Sequence, residues 1–116
     1  MEIQECPFCE RLRGLDVKLR GRTCAVVSDA MPRSPGHCLI VPIMHVSDFF
    51  ELDSETKHEM IDIMQTAKEM LFSSLNPDGW NIRINIGAAA GQTVGHTHIH
   101  IVPRYAGAPH VRVEEL

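Results

Sequence analysis

Three histidines, His96, His98 and His100, alternate with other residues in the segment HTHIHIV. In a β-strand, residues two apart point to the same face, so the three imidazoles would form a row, with Thr97 and Ile99 turned to the other side. Near neutral pH an imidazole can act as nucleophile, general acid, general base or metal ligand. The row is therefore the first candidate for a chemical site.

Two kinds of chemistry fit this row. In the first, it binds a catalytic metal ion, as His-x-His pairs often do. Hydrolytic metal sites usually recruit carboxylates too, and the sequence from 80 to 113 contains neither Asp nor Glu. In the second, one imidazole attacks phosphorus while nearby donors hold the anionic oxygens. The lack of carboxylates favours the second, because fixed negative charge repels a phosphate.

A second candidate site is the pair Cys6 and Cys9 in Cys-Pro-Phe-Cys, within a zinc-knuckle-like segment of about residues 4–12. This spacing suits two thiolates on one tetrahedral zinc, or a redox dithiol. A thioredoxin-like motif should follow a strand in a βαβ unit, and the sequence shows no such context here. Cys24 and Cys38 lie inside apolar runs, which predicts two buried small side chains.

The elements that must position these residues are predicted from periodicity and turn signals. Residues 1–22 are expected to be irregular. Residues 54–75 place apolar residues at steps of three and four, which predicts an amphipathic helix that Asp53 or Ser54 begins. Strands are predicted at 23–28, 37–43, 80–86 and 96–102, with Pro103 ending the pairing of the last one.

In strand 80–86, Trp80, Ile82, Ile84 and Ile86 alternate with polar residues, which is typical of a half-buried strand. The loop GAAAGQTVG that follows is rich in small residues, so its backbone can approach a ligand closely. The order of two strands, one long helix and two strands predicts an α+β domain with an antiparallel sheet and the helix on one face. No element is predicted for the tail 105–116.

Length and composition exclude several classes of protein. A chain of 116 residues is one domain's worth, spanning 1–116. The formal net charge of −4 argues against sequence-independent binding to duplex nucleic acid. No apolar run approaches the roughly 20 residues of a membrane-spanning helix, and the start lacks the pattern of a secretory signal. We therefore expect a cytoplasmic protein with no membrane partner.

The segment AGQTVGHTHIHIVPR resembles the signature of the histidine triad (HIT) family of nucleotide hydrolases and transferases. The segment SDAMPRSPGHCLIVPIMH is similar to the family's hairpin, so the resemblance covers most of the chain. It implies a HIT-like fold, a small-molecule nucleotide substrate and a homodimer whose two sheets join into one. The Ala-Gly-Gln-Thr and Pro-Arg flanks of the triad, 96–100, look more like the branch that cleaves dinucleoside polyphosphates.

The resemblance also implies roles for individual residues. His98 would attack the α-phosphorus and carry a nucleotidyl group, His100 would sit near the phosphate and the leaving group, and His37 would support the imidazoles from the side. One hard step would thereby become two easier ones. Hydrogen bonds to phosphate oxygens would come from Asn85, Gln92 and Thr93, and the Asp29 carboxylate would accept from the ribose hydroxyls.

In zinc-bearing members of the wider superfamily, a Cys-x-x-Cys joins two histidines. The matching residues here are Cys6, Cys9, His45 and His96. Two thiolates and two imidazoles make a closed tetrahedral set, so the zinc would be structural rather than catalytic.

Three alternatives to a dinucleoside polyphosphate hydrolase remain open at this point. A nucleoside phosphoramidate hydrolase would use the same nucleophile. A non-catalytic nucleotide-binding or regulatory protein would keep the pocket without needing His98 as a nucleophile. A metal-dependent hydrolase at the triad would lose its activity outright in the presence of a chelator.

Overall fold

A computed structural model describes residues 6–14 and 17–107. Its main elements are helix α1 (Pro7–Arg11), strands β1 (Val17–Arg20), β2 (Cys24–Ser28) and β3 (Cys38–Pro42), helix α2 (Ser54–Leu71), and strands β4 (Gly79–Arg83) and β5 (Ile99–Arg104). The five strands form one antiparallel sheet in the order β1-β2-β3-β5-β4. The predicted α+β architecture is confirmed.

Both faces of the sheet are covered. Along β5, Ile99 and Ile101 pack into the core beneath α2, while His100 turns to the opposite face. The same alternation runs through β3, where Ile40 faces α2 and Leu39 belongs to a second cluster around α1. This period of two places the core beneath α2 on one side of the sheet, and the second cluster together with His100 on the other.

Helix α2 begins as the sequence predicts. The Asp53 side chain accepts a hydrogen bond from the backbone N–H of Thr56, at 2.8 Å, which caps the first turn. Met60 and Ala67 are fully buried on its inner face. The helix ends at Leu71, earlier than predicted, and the chain then turns through Asn76, whose φ is +49°. None of the helices in the described part of the chain is long and apolar enough to cross a membrane.

Several predicted boundaries were wrong. The segment 1–22 is not irregular where it is described, because it contains α1 and β1. Strand β4 ends at Arg83, and His96 and His98 precede β5 rather than lying within it. Ile82 of β4 is 48% exposed, so the predicted apolar face of this strand is only partly covered in one chain.

Pro103 does not end the pairing of β5, which continues to Arg104. The carbonyl of Pro103 accepts a hydrogen bond from the Ser34 hydroxyl, on the side of β5 that faces β3. In an antiparallel strand the N and O atoms of one residue point the same way, so the missing N–H also faces that side. Pairing with β4 on the other side therefore loses no hydrogen bond.

Candidate active site and metal site

A cavity of about 300 Å³ opens on the sheet face opposite α2. It lies beside the ends of β2, β3 and β5, where the turn after β2 and the loop before the triad come together. Six of the residues predicted to act on the substrate line it, namely Asp29, His37, Asn85, Thr93, His98 and His100. Residues far apart in the sequence are therefore neighbours in one pocket.

His98 is held by its backbone surroundings. Its Nδ1 lies 2.9 Å from the carbonyl oxygen of His96 and must donate to it, because a carbonyl can only accept. Nε2 therefore carries a lone pair. The ring of Phe8 stands edge-on to the His98 ring, with centroids 4.8 Å apart. Burial lowers the pKa of His98, so the ring stays neutral near pH 7 and its Nε2 can act as a nucleophile.

His100 and His37 form a hydrogen-bonded pair. The backbone N–H of Arg33 donates to Nδ1 of His37, at 3.0 Å, so the proton of the neutral His37 ring is on Nε2. That Nε2 lies 3.0 Å from Nδ1 of His100 and 3.3 Å from Oδ2 of Asp29. His100 consequently carries its proton on Nε2. Burial, followed by the charges of His98 and His37, lowers the pKa of His100 to about 4.

Among the described residues that line the pocket, cationic side chains outnumber anionic ones. Arg11 and Arg33 line it together with Asp29, although the whole chain has a net charge of −4. The Arg11 guanidinium donates to the carbonyl of Ser28, next to Asp29. Such a local reversal of charge favours an anionic ligand.

The loop before the triad brings Thr93 to the pocket but not the side chain of Gln92. The amide nitrogen of Gln92 donates to two backbone carbonyls, each at 2.9 Å. One belongs to Val94 in the same loop, and the other to Ser47 in the segment after β3. Oε1 of Gln92 accepts from the backbone N–H of Gly87. The prediction that Gln92 donates to phosphate is therefore corrected, because its donors are already engaged in holding the loop closed.

The four predicted metal ligands lie together at the other end of the triad. Their ligand atoms, the Sγ atoms of Cys6 and Cys9 and nitrogens of His45 and His96, are all within 4.8 Å of one another. The N–S separations are 3.1 Å for His45–Cys9, 3.4 Å for His96–Cys6 and 3.5 Å for His96–Cys9. Zinc with Zn–S of about 2.3 Å and Zn–N of about 2.0 Å gives tetrahedral N–S edges of about 3.5 Å.

The protonation of His96 also fits a metal. Its Nε2 donates to the carbonyl of Pro42 at 2.8 Å, which leaves the lone pair on Nδ1, the nitrogen that faces the two sulfurs. A histidine ligand typically donates its other ring N–H in this way. These residues can therefore hold a zinc ion.

A second group, Asp29, His37 and His100, is equally compact, but the same reasoning argues against a metal there. Ligation through Nε2 of His37 would require its proton on Nδ1, and Nδ1 faces the N–H of Arg33. Two donors would then point at each other. The three residues are instead joined through the Nε2–H of His37, which faces both Nδ1 of His100 and Oδ2 of Asp29.

The chain matches a known protein family. The family model described as the HIT domain matches residues 17–107. The chain belongs to the HIT family. Cys6 and Cys9 lie outside the matched residues.

The chain is also similar to several named proteins. The chain is 34% identical to adenylylsulfatase HINT3 of Arabidopsis thaliana over 86% of its own length and 52% of that protein. It is 33% identical to AP-4-A phosphorylase of Mycobacterium tuberculosis, over 89% of its length and 53% of that protein. The chain thus spans about half the length of these two relatives. A solved zinc-bound HIT family protein from Mycobacterium smegmatis has a TM-score of 0.76 and 35% identity, over 88% of this chain and 76% of that one.

Some residues of this HIT pocket were not predicted from the sequence. Phe8, which contacts the His98 ring, lies between the two cysteines, and that position was the only available signal. Arg11 and Arg33 reach the pocket through α1 and the turn before β3. Arg83 contacts Asn85 from behind, and nothing in its sequence context distinguishes it from a surface arginine.

Proposed function

We propose that this chain cleaves nucleotide conjugates at the α-phosphate, with Nε2 of His98 as the nucleophile. The observation that carries the proposal is the fixed protonation of His98, whose Nδ1 donates to the His96 carbonyl while the ring lines an arginine-containing cavity. An imidazole with a lowered pKa is neutral at pH 7 and ready to attack phosphorus.

The reaction would take place in two displacements. In the first, His98 Nε2 forms a bond to phosphorus while the bond to the leaving oxygen breaks. The leaving group departs with that electron pair. In the second, water attacks phosphorus, the Nε2–phosphorus bond breaks, and the ring returns to its neutral form. The nucleoside monophosphate carries away the water oxygen, and the released proton goes to solvent.

We propose dinucleoside polyphosphates as the substrate class. A phosphate leaving group departs as an anion and needs no proton. An amine, released from a phosphoramidate, must be protonated as it leaves. The pKa values of His37, His98 and His100 are all lowered, chiefly by burial, so the described pocket holds no protonated imidazole at pH 7. Arg11 and Arg33 also suit a chain of phosphates.

The remaining pocket residues would bind the substrate. Asn85 and Thr93 would donate hydrogen bonds to phosphate oxygens, with the N–H on Nε2 of His100 as a third donor. Asp29 would accept from the ribose hydroxyls, since it lines the pocket with its Oδ2 beside His37. Donors fixed before the reaction stabilise charge as it develops, each by about 10²–10³ in rate.

The test is AMP release from diadenosine tetraphosphate, with adenosine 5′-phosphoramidate as the competing substrate class. We expect His98→Ala to lower kcat at least about 10³-fold. The other two imidazoles of the pocket, His37 and His100, cannot replace His98, because each accepts a hydrogen bond at Nδ1 and carries its proton on Nε2. The matched control is His58→Ala, which removes an exposed histidine on α2 and should leave kcat unchanged.

Two results would contradict the proposal. Activity that survives in His98→Ala would show that another group attacks phosphorus. A folded parent protein that cleaves the phosphoramidate at least as well as the polyphosphate would overturn the substrate class but not the nucleophile.

We also propose that Cys6, Cys9, His45 and His96 hold a structural zinc ion. The support is their spacing and the lone pair on His96 Nδ1. When bound, zinc would crosslink α1 to the segment that leads into the triad and would keep both thiols deprotonated.

Finally, we propose that two copies pair through β4 and α2. Strand β4 is at the edge of the sheet, and its Ile82 side chain is 48% exposed. Ile61 of α2, which is 57% exposed, lines the same groove as Ile82. An uncovered apolar edge of this kind favours strand pairing, and an antiparallel pair of identical edges has the two-fold symmetry of a homodimer.

A further inference from the structure

The last residue of β4, Arg83, lies directly behind a side chain of the pocket. Its Nε donates to Oδ1 of Asn85 at 2.7 Å, and in the sheet Arg83 is paired with His100. Asn85 is only 7% exposed and lines the cavity. Arg83 itself is not among the residues that line the cavity, so its effect on a ligand must act through Asn85 or through its charge.

The chemistry of the two side chains fixes the orientation of the Asn85 amide. A guanidinium has five N–H donors and no acceptor, so the Asn85 atom that faces it must be the oxygen. The amide nitrogen, Nδ2, then points the other way, toward Gly91 of the pocket loop. Within residues 6–14 and 17–107, Nδ2 has no hydrogen-bond partner. A nearly buried amide therefore presents unpaired donors to the cavity.

We propose that Arg83 is a positioning residue that holds the Asn85 amide with its N–H donors toward the phosphate. This inference rests on the proposed function, in which Asn85 binds phosphate oxygens. Without Arg83 the amide can turn by half a rotation, and its oxygen would then face the anion. A donor would be exchanged for a repulsive acceptor, at a cost to phosphate binding.

Another Arg–Asn pair, with Arg104 on β5 and Asn81 on β4, makes a similar bond away from the cavity. Arg104 Nε donates to Asn81 Oδ1 at 2.8 Å, and neither residue lines the pocket. There the bond joins β5 to β4. Arg83 instead bonds a residue two positions further along its own chain, just beyond the end of its strand, so its bond adds no link between strands. The contrast favours a role in the pocket.

The test measures ligand binding rather than turnover, so it can be carried out even if the protein does not cleave nucleotide conjugates. Calorimetry gives the dissociation constants of AMP and adenosine, and their ratio isolates the contribution of the phosphate. We expect Arg83→Met to reduce this ratio about tenfold, as expected for the loss of a hydrogen bond to a charged group. Arg83→Lys should retain most of it, because an ammonium also only donates, whereas Arg83→Gln should not, because Gln can accept from Nδ2.

A double-mutant cycle separates orientation from charge. If Arg83 acts through Asn85, then Arg83→Met should cost nothing further in the Asn85→Ala background. The control Arg22→Met removes a cation that is 77% exposed in the β1–β2 turn and should leave the ratio unchanged. An undiminished effect of Arg83→Met in Asn85→Ala would overturn the proposal in favour of simple charge. So would an unchanged ratio in folded Arg83→Met and Arg83→Gln.

Discussion

At the scale of single residues, backbone atoms decide which nitrogen of each buried histidine carries the proton. The carbonyl of Pro42 takes the Nε2 proton of His96, and the carbonyl of His96 takes the Nδ1 proton of His98. In His37 the backbone N–H of Arg33 donates to Nδ1, so the ring proton is on Nε2. One residue type would thus supply the proposed metal ligand, the proposed nucleophile and a hydrogen-bond donor. The sequence predicts where these histidines are but cannot predict these tautomers, which depend on tertiary contacts.

His100 should make the stability of the protein depend on pH. Its pKa in the folded state is lowered to about 4, chiefly by burial, from an unfolded value near 6.5. Above that unfolded value the ring is neutral in both states. As the pH falls below 6.5, His100 becomes protonated in the unfolded chain but stays neutral in the folded chain. The free energy of unfolding should therefore decrease, by about 2 kcal/mol at pH 5 and about 3 kcal/mol near pH 4.

Urea unfolding of the parent and of His100→Gln at pH 7 and pH 5 measures this effect. The introduced amide does not titrate, and the variant keeps all four proposed zinc ligands, so zinc release affects both proteins alike. The decrease in the free energy of unfolding from pH 7 to pH 5 should be about 2 kcal/mol smaller in His100→Gln than in the parent. Equal losses in the two proteins would mean that the His100 pKa is not lowered by folding.

At the scale of elements, the sequence predicts what is periodic and misses what depends on distant contacts. The long helix and the β2–β3 hairpin follow from apolar spacing and turn residues, and both are confirmed within a few residues. Helix α1 has five residues, too few to be stable alone, and β1 has only four, two of them charged. The pairing of β1 with β2 and the packing of Phe8 stabilise these elements. Neither contact can be predicted from the local sequence.

Because α1 is so short, we expect the metal site to hold it against the pocket. Pro7, Phe8 and Arg11 of this helix line the cavity. Cys9→Ala should therefore lose the zinc ion and weaken AMP binding as well. Elemental analysis should give about one zinc per parent chain and less than about 0.2 in the variant. Calorimetry with AMP then reports the state of the pocket wall independently of turnover.

The matched control is Cys24→Ala, which removes a buried thiol on β2 that is no proposed ligand. It should keep both the zinc ion and AMP binding. A parent protein purified without chelator that contains little zinc would contradict the metal site. A zinc-free Cys9→Ala protein that binds AMP as tightly as the parent would instead confine the metal's role to stability.

At the scale of the whole molecule, charge and apolar surface are on opposite faces of the sheet. The cavity, with Arg11 and Arg33, opens on one face of an otherwise acidic protein and should attract anionic ligands. On the other face, a groove lined by Ile61, Phe72 and Ile82 runs between α2 and the edge strand. A second copy that covers this groove would leave the cavity open, so assembly and ligand binding need not compete.

This arrangement predicts that Ile82→Asp produces a monomer. In a dimer joined at β4, the new carboxylate of each copy would be buried near its symmetry mate, which costs both desolvation and like-charge repulsion. Sedimentation velocity should show the parent as a dimer of the 13.0 kDa chain and the variant as a monomer, with the dimer dissociation constant raised at least about 100-fold. Phe50→Asp, at a side chain 73% exposed outside the groove, should sediment like the parent. A monomeric parent would contradict the proposed interface. A dimeric Ile82→Asp would place the interface elsewhere, because burying two carboxylates at the edge strand would weaken a dimer joined there.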